Sequence, residues 1–207
     1  MNGNSVKGII EAISAEMSEN RDYLVALDQV NGDGDLGISM DDGYRAVAEF
    51  LNNAQEKDLG RLMMGCGKTF NAFAPSSLGT ITSFGFMGMA KALKGKEKVS
   101  FEEAAEAMLA GVKNIMEKAG SKVGEKTILD SLYPGVLALV KYAHEPETAV
   151  KEATKAAAEG SEATKQMQAV HGRAAYSAER SIGILDGGSV VGSLIFKGIA
   201  AYYEAKG

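Results

Sequence analysis

Apolar residues recur at three- and four-residue steps along almost the whole chain, and proline interrupts the pattern only at Pro75, Pro134 and Pro146. That period matches the turn of an α-helix, and no stretch shows the strict alternation of a half-buried strand. The sequence therefore predicts an all-α fold, with helices over about 5–18, 20–30, 36–54, 58–73, 77–94, 100–118, 127–143, 147–168, 173–183 and 188–204. Several starts are marked: Ser100 with Glu103 makes a capping box, and Thr127 and Thr148 can cap the helices that follow them. The Ala-rich segment 149–163 implies either close helix–helix approach or an exposed Ala-Lys-Glu face. No repeat of fixed period emerges, which disfavours a solenoid. The 207 residues suffice for one sizeable core, so one domain over 1–207 is expected.

Several function classes drop out. A net charge of −5 and the absence of a basic cluster remove the electrostatic drive for nucleic-acid binding. Cys66 is the only cysteine, so an intrachain disulfide and a cysteine zinc site are both excluded, and a reducing cytoplasm fits. Residues 1–17 carry Lys7, Glu11 and Glu16 and lack the apolar core of an export signal. No run approaches the roughly 20 apolar residues that span a bilayer. Even 189–199 is broken by Gly192, Lys197 and Gly198. The expectation is a cytoplasmic protein with neither nucleic-acid nor membrane partners.

Glycine-bearing joints fall at 32–37, 75–79, 120–124, 172 and 186–188, natural places for a site built from helix ends. In the first, Asp28, Asp33 and Asp35 stand within eight positions, with Gly32 and Gly34 allowing a tight fold between them. Three carboxylates so placed can converge on hard divalent ions, and magnesium accepts such a sparse set together with phosphate oxygens. The helix beginning at Leu36 would then turn its free N–H groups and positive dipole end toward a bound anion. A plain surface turn also fits this composition. The calcium-hand template does not, because Met40 stands five residues after Asp35 and the next Glu is Glu49.

The segment Leu27 to Met40 resembles the metal-binding signature of the L-type, nucleotide-binding subunit of dihydroxyacetone kinases. A second match runs from Gly172-Arg-Ala-Ala-Tyr through Glu179-Arg-Ser-Ile-Gly183 to Asp186-Gly-Gly188. Between them, Gly120, Gly124, Lys126-Thr127 and Asp130 sit like the family's Gly…Gly-Asp-Lys-Thr-x-x-Asp stretch. The resemblance thus covers nearly the whole chain. It implies a closed bundle or barrel of about eight antiparallel helices with the nucleotide site at one end. It also implies magnesium, expected as two ions, on Asp28, Asp33 and Asp35, with ADP or ATP surrounded by Leu36, Gly37, Ile38, Ser39, Ser77, Leu78, Gly120, Ile128, Arg173, Asp186, Gly187 and Gly188. Arg173 is the candidate phosphate contact, because a guanidinium fork matches phosphate oxygens; a surface ion pair is its other reading. Thr127 and Asp130 are weaker candidates that read equally as a helix cap and its first-turn acid.

The resemblance further implies a division of labour. A separate K-type subunit holds the keto-sugar, and the L-type part positions the phosphoryl group without a nucleophile of its own. His144 reads as a loop residue, and His171 lies near Arg173 but reads equally as a surface residue. Two regimes occur: exchangeable ATP, or tightly held ADP rephosphorylated by a protein of the phosphoenolpyruvate-dependent phosphotransferase system. The second is expected here, so the expected partners are a K-type subunit and a phosphodonor protein, with a homodimer also open. A nucleotide-sensing regulatory subunit without turnover, or an ATP-dependent kinase subunit for a different small keto-sugar, are the alternatives. Four departures stand out: Leu36 and Ser39 where relatives carry His and Asn, Gly187 where they carry Pro, and 74–80, where the phosphate-facing serine can shift by one position.

Overall fold

The computed structural model describes residues 1–30 and 32–206, with the backbone alone at residues 173, 177 and 178. Among the described residues nine α-helices form: α1 Gly3–Glu19, α2 Arg21–Asp28, α3 Leu36–Asn53, α4 Leu59–Phe73, α5 Ser77–Ala92, α6 Phe101–Ala119, α7 Leu129–Lys141, α8 Pro146–Ala163 and α9 Gly187–Glu204. Two 3-10 segments, Thr164–Gln166 and Arg173–Ser181, lie between α8 and α9. The β-structure among these residues is one isolated bridge between Asn2 and Lys98.

Local chemistry explains most boundaries. Asn2, Asp58, Ser76, Ser100 and Asp186 each precede a helix and accept a backbone N–H from its first turn, satisfying donors that have no partner inside the helix. The capping box at Ser100 and Glu103 forms as expected. Thr148 does not cap: Pro146 opens α8, its fixed φ suiting the first helical position, and the Thr148 hydroxyl turns to Glu145. Helix α7 begins at Leu129, with the Thr127 hydroxyl accepting the Leu129 N–H. The expected helix over 147–168 stops at Ala163, where the Thr164 hydroxyl bonds the Ser161 carbonyl and the chain tightens. The expected helix over 173–183 is a 3-10 segment instead; Tyr176, its largest apolar side chain, is 92% exposed, so packing does not support an α-helix there.

Around the molecule α1 packs on α3, α3 on α4, and so on in order to α9, which returns to α1 and closes a ring of eight long helices. The short α2 lies against α3 and α9. Neighbours run antiparallel, as the cross-helix bonds show: Ser18 near the end of α1 meets Asp41 near the start of α3, and Ser161 near the end of α8 meets Ser189 at the start of α9. The starts of α3, α5, α7 and α9 therefore share one end of the bundle with the last turns of α4, α6 and α8. Inside the ring Val47, Phe70, Val136 and Val191 are fully enclosed, around an apolar cavity of about 180 Å³ that Ile10, Tyr44, Phe86 and Val112 help to line. On α8 the stripe Ala149, Ala153 and Ala157 is fully buried, so the Ala-rich segment serves close helix approach. Among the described residues no helix is long and apolar enough to cross a membrane.

Candidate functional site

At the shared end, Asp28 closes α2 and Asp35 stands immediately before α3. The chain returns between them through Gly34, whose φ of +78° suits glycine and whose N–H donates to Asp28 Oδ2 at 2.8 Å. One oxygen from each of Asp28, Asp33 and Asp35 lies within 4.8 Å of the others; Asp28 is half-buried and the other two are exposed. The base of this loop is anchored through buried Asp41, which accepts from Ser18, bonds Arg45 at 2.5 Å and pairs with Arg21 at 3.7 Å, tying α2 and α3 to the end of α1. Three hard oxygen donors on a fixed base, open to water and phosphate oxygens, fit a magnesium ion.

The starts of α3 and α9 meet beside this loop. Leu36 and Gly37 are buried, and Leu36 packs on Gly187, where a Cβ would stand 2.5 Å from Leu36 Cδ2. A leucine and a glycine therefore fill the seam as a matched pair, at two of the four departures from the family pattern. Gly188 lies against the residue that precedes α7: a Cβ there would lie 3.3 Å from the Ile128 nitrogen. Ile38 is exposed, whereas Ser39 is buried with its Oγ 2.6 Å from Ser76 Oγ. Ser76 also accepts the Gly79 N–H and so joins the starts of α3 and α5. Ser77 is exposed at the first position of α5, and Leu78 packs against the core. The hydroxyl at this junction is therefore that of Ser76, one residue before Ser77. Gly120 ends α6 in the left-handed region at φ +61°, exposed at the same end of the bundle. Arg173 opens the 3-10 segment; its side chain lies outside the described residues.

Beneath these starts lies a buried polar network. The Asp130 carboxylate, in the first turn of α7, accepts from Gly124 N at 2.6 Å and Thr127 N at 2.7 Å and so bonds back to the loop before the helix. Lys126, 5% exposed, donates to the carbonyls of Thr164 at 2.6 Å and Ile184 at 2.5 Å. Burial holds its ammonium below the ordinary lysine value, against the pull of Asp186 and Asp130. Asp186 caps α9 by accepting the Ser189 N–H at 2.7 Å, and its own N–H donates to Thr164 Oγ1 at 3.1 Å. Burial pushes the Asp186 carboxyl up to about 6; the Ser189 N–H and Lys126 oppose this, while Asp130 and Asp28 add to it. That last influence links the network to the acidic loop. His171 meets Glu125 at 2.6 Å, and this hydrogen bond holds Glu125 below the usual carboxylate range. Lys126 and Ser76 were not among the expected site residues: a lysine in a loop carries no sign of burial in sequence, and two adjacent serines cannot be told apart by pattern.

The model of the DAK2 domain family matches residues 30–201. The chain is 33% identical over 180 residues to the "PEP-dependent dihydroxyacetone kinase 1, ADP-binding subunit DhaL" of Listeria innocua, an alignment covering 87% of this chain and 86% of that one. It is 31% identical over 176 residues to the corresponding ADP-binding subunit of Escherichia coli, covering 83% of each. Among solved structures, the dihydroxyacetone kinase of C. freundii in complex with AMP-PNP and Mg2+ superposes with a TM-score of 0.77 at 25% identity, covering 95% of this chain and 33% of that one. The chain thus spans about a third of the length of that larger kinase.

Proposed function

Since the chain belongs to the DAK2 domain family, we propose that it is an ADP- and magnesium-binding phosphoryl-transfer subunit of a dihydroxyacetone-type keto-sugar kinase. The whole chain, 1–207, is read as one such domain, acting in the cytoplasm with a sugar-binding K-type subunit. The observation that carries this is the convergence of Asp28, Asp33 and Asp35 within 4.8 Å beside the starts of α3 and α9. The two relatives at 33% and 31% identity are named as ADP-binding subunits of PEP-dependent kinases, which favours held ADP rephosphorylated by a phosphotransferase-system protein over exchangeable ATP.

In this reading Asp28, Asp33 and Asp35 hold magnesium, as two ions, which neutralises phosphate charge when bound. The chain's own residues do the rest. The first turns of α3 and α9 offer N–H groups and the positive ends of their helix dipoles to phosphate oxygens. Arg173 adds a permanent charge whose fork matches those oxygens. The buried Ser39 hydroxyl, through its bond to Ser76, holds the starts of α3 and α5 together at the same end, and Leu78, Gly120, Ile128 and the 186–188 turn form the remaining walls. Phosphoryl transfer asks chiefly for alignment and charge neutralisation, so no nucleophile is required of this chain; the accepting hydroxyl belongs to the sugar on the partner.

Native mass spectrometry of the purified chain with magnesium, before and after chelation and beside Asp33→Ala, tests the reading. The expected outcome is ADP travelling with the wild-type protein, lost on chelation and absent from the variant, with affinity for added Mg2+·ADP reduced roughly 100-fold or more. A wild-type protein that neither carries ADP nor takes up added ADP or ATP with magnesium overturns it.

A further inference from the structure

Lys126 combines three features that rarely coincide. Its φ is +62°, a left-handed conformation costly for a side-chain-bearing residue and retained only where the surroundings over-determine it. Its side chain is buried, although an ammonium removed from water is expensive unless hydrogen-bonded. Its two acceptors are main-chain carbonyls from separate segments, Thr164 at the end of α8 and Ile184 just before the α9 cap.

These bonds close a clasp. Thr164, fully buried, receives Lys126 on its carbonyl and the Asp186 N–H on its hydroxyl. Asp130, four residues beyond Lys126, fixes the lysine's own loop by taking the Gly124 and Thr127 N–H groups. The loop before α7 and the turn before α9 are thereby held at a set spacing, and just beyond the clasp Gly188 lies against the Ile128 nitrogen. Apolar packing stabilises loop bases at least as well as a buried charge does. What an ammonium adds is direction, because it fixes where two particular carbonyls stand.

We infer that Lys126 is a positioning residue, which through the Thr164 and Ile184 carbonyls sets the distance between the Gly120–Ile128 wall and the Asp186–Gly188 turn and so the width of the nucleotide site. This rests on the nucleotide reading above. Lys126 contacts neither phosphate nor metal in this role, so its loss acts on ADP while leaving the acidic loop as it was.

The test compares full-length wild type, Lys126→Met and Lys126→Arg in two titrations: Mg2+·ADP by calorimetry, and Mn2+ without nucleotide by electron paramagnetic resonance. Wild type is titrated first, and a wild-type chain that takes up Mn2+ but no ADP overturns the nucleotide reading, and this inference with it, before any variant is made. Where wild type binds, the methionine variant is expected to lose roughly tenfold or more in Mg2+·ADP affinity, to keep Mn2+ affinity within about twofold, and to exchange the amide hydrogens of 184–190 faster. Arginine, which can still donate to both carbonyls, is expected to recover part of the ADP affinity. A folded methionine variant that binds Mg2+·ADP as wild type does, or that loses Mn2+ and ADP affinity in equal proportion, overturns the inference. Should the methionine variant not fold, Lys126→Leu, which likewise carries no donor, is judged by the same criteria.

Discussion

Two groups of carboxylates share one end of the bundle and are built on opposite plans. Asp28, Asp33 and Asp35 crowd within 4.8 Å on a loop, two of them exposed, so like charge accumulates where water and a cation can reach it. Asp130 and Asp186 lie beneath, each accepting backbone N–H groups at 2.6–2.7 Å with the Lys126 ammonium close by. The first group, under the proposed function, meets its charge with a bound cation; the second meets it with the chain's own N–H groups and ammonium. A carboxylate's surroundings, more than its presence at a helix end, tell whether it serves binding or architecture.

Asp130→Ala gives the largest expected break in that contrast. It removes a buried acceptor from two N–H groups and a counter-charge from Lys126, and should lower unfolding free energy by roughly 3 kcal/mol. Urea denaturation without metal measures this, with Asp33→Ala expected within about 0.5 kcal/mol of wild type as the control. If the two variants lose comparable stability, the acidic loop is architectural as well.

Asp186→Asn sharpens the contrast through pH. A carboxyl whose folded-state value lies above its unfolded one holds its proton more tightly when folded. Its contribution to stability is therefore fully present below about 4 and is lost as pH rises through about 6, the value to which burial pushes Asp186. Asparagine keeps the cap and removes the titration. Between pH 4 and 7, in chelator, the stability difference between variant and wild type should move in the variant's favour by about 2 kcal/mol. A flat difference would mean that this carboxylate is as well solvated as those of the loop.

How much of this was legible in sequence follows from how local each feature is. Helix positions came through because apolar spacing and caps such as Ser100 with Glu103 act over a few residues. The acidic loop came through for the same reason, since Asp28, Asp33 and Asp35 need only a tight turn to converge. The 3-10 character of 173–181 did not, because what decides it is the lack of anything packed on Tyr176, a tertiary fact. Lys126 reaches carbonyls 38 and 58 residues away, and no local pattern encodes that pairing. Ser76 and Ser77 are alike in composition, and what separates them is the cap that Ser76 makes to Gly79 together with the approach of Ser39 from α3.

The seam between the two groups supplies the smallest predicted effect and the closest test of their coupling. Leu36 follows Asp35 and Gly187 follows Asp186, so these two departures from the family pattern each sit next to one of the two carboxylate groups, and they touch each other. A Cβ at 187 would stand 2.5 Å from Leu36 Cδ2, the far end of a flexible side chain, so Gly187→Ala shifts the leucine without blocking the backbone. The expected cost is about 1 kcal/mol in unfolding free energy. Leu36→Ala alone opens a gap and should cost roughly 2 kcal/mol. If the residues are matched, the double variant should lose less than the sum of the two, by about 0.5 kcal/mol or more, since each change relieves the strain or void left by the other. Strict additivity would make the Leu36–Gly187 contact incidental, and the acidic loop and the buried network would then be neighbours without an energetic link across this seam.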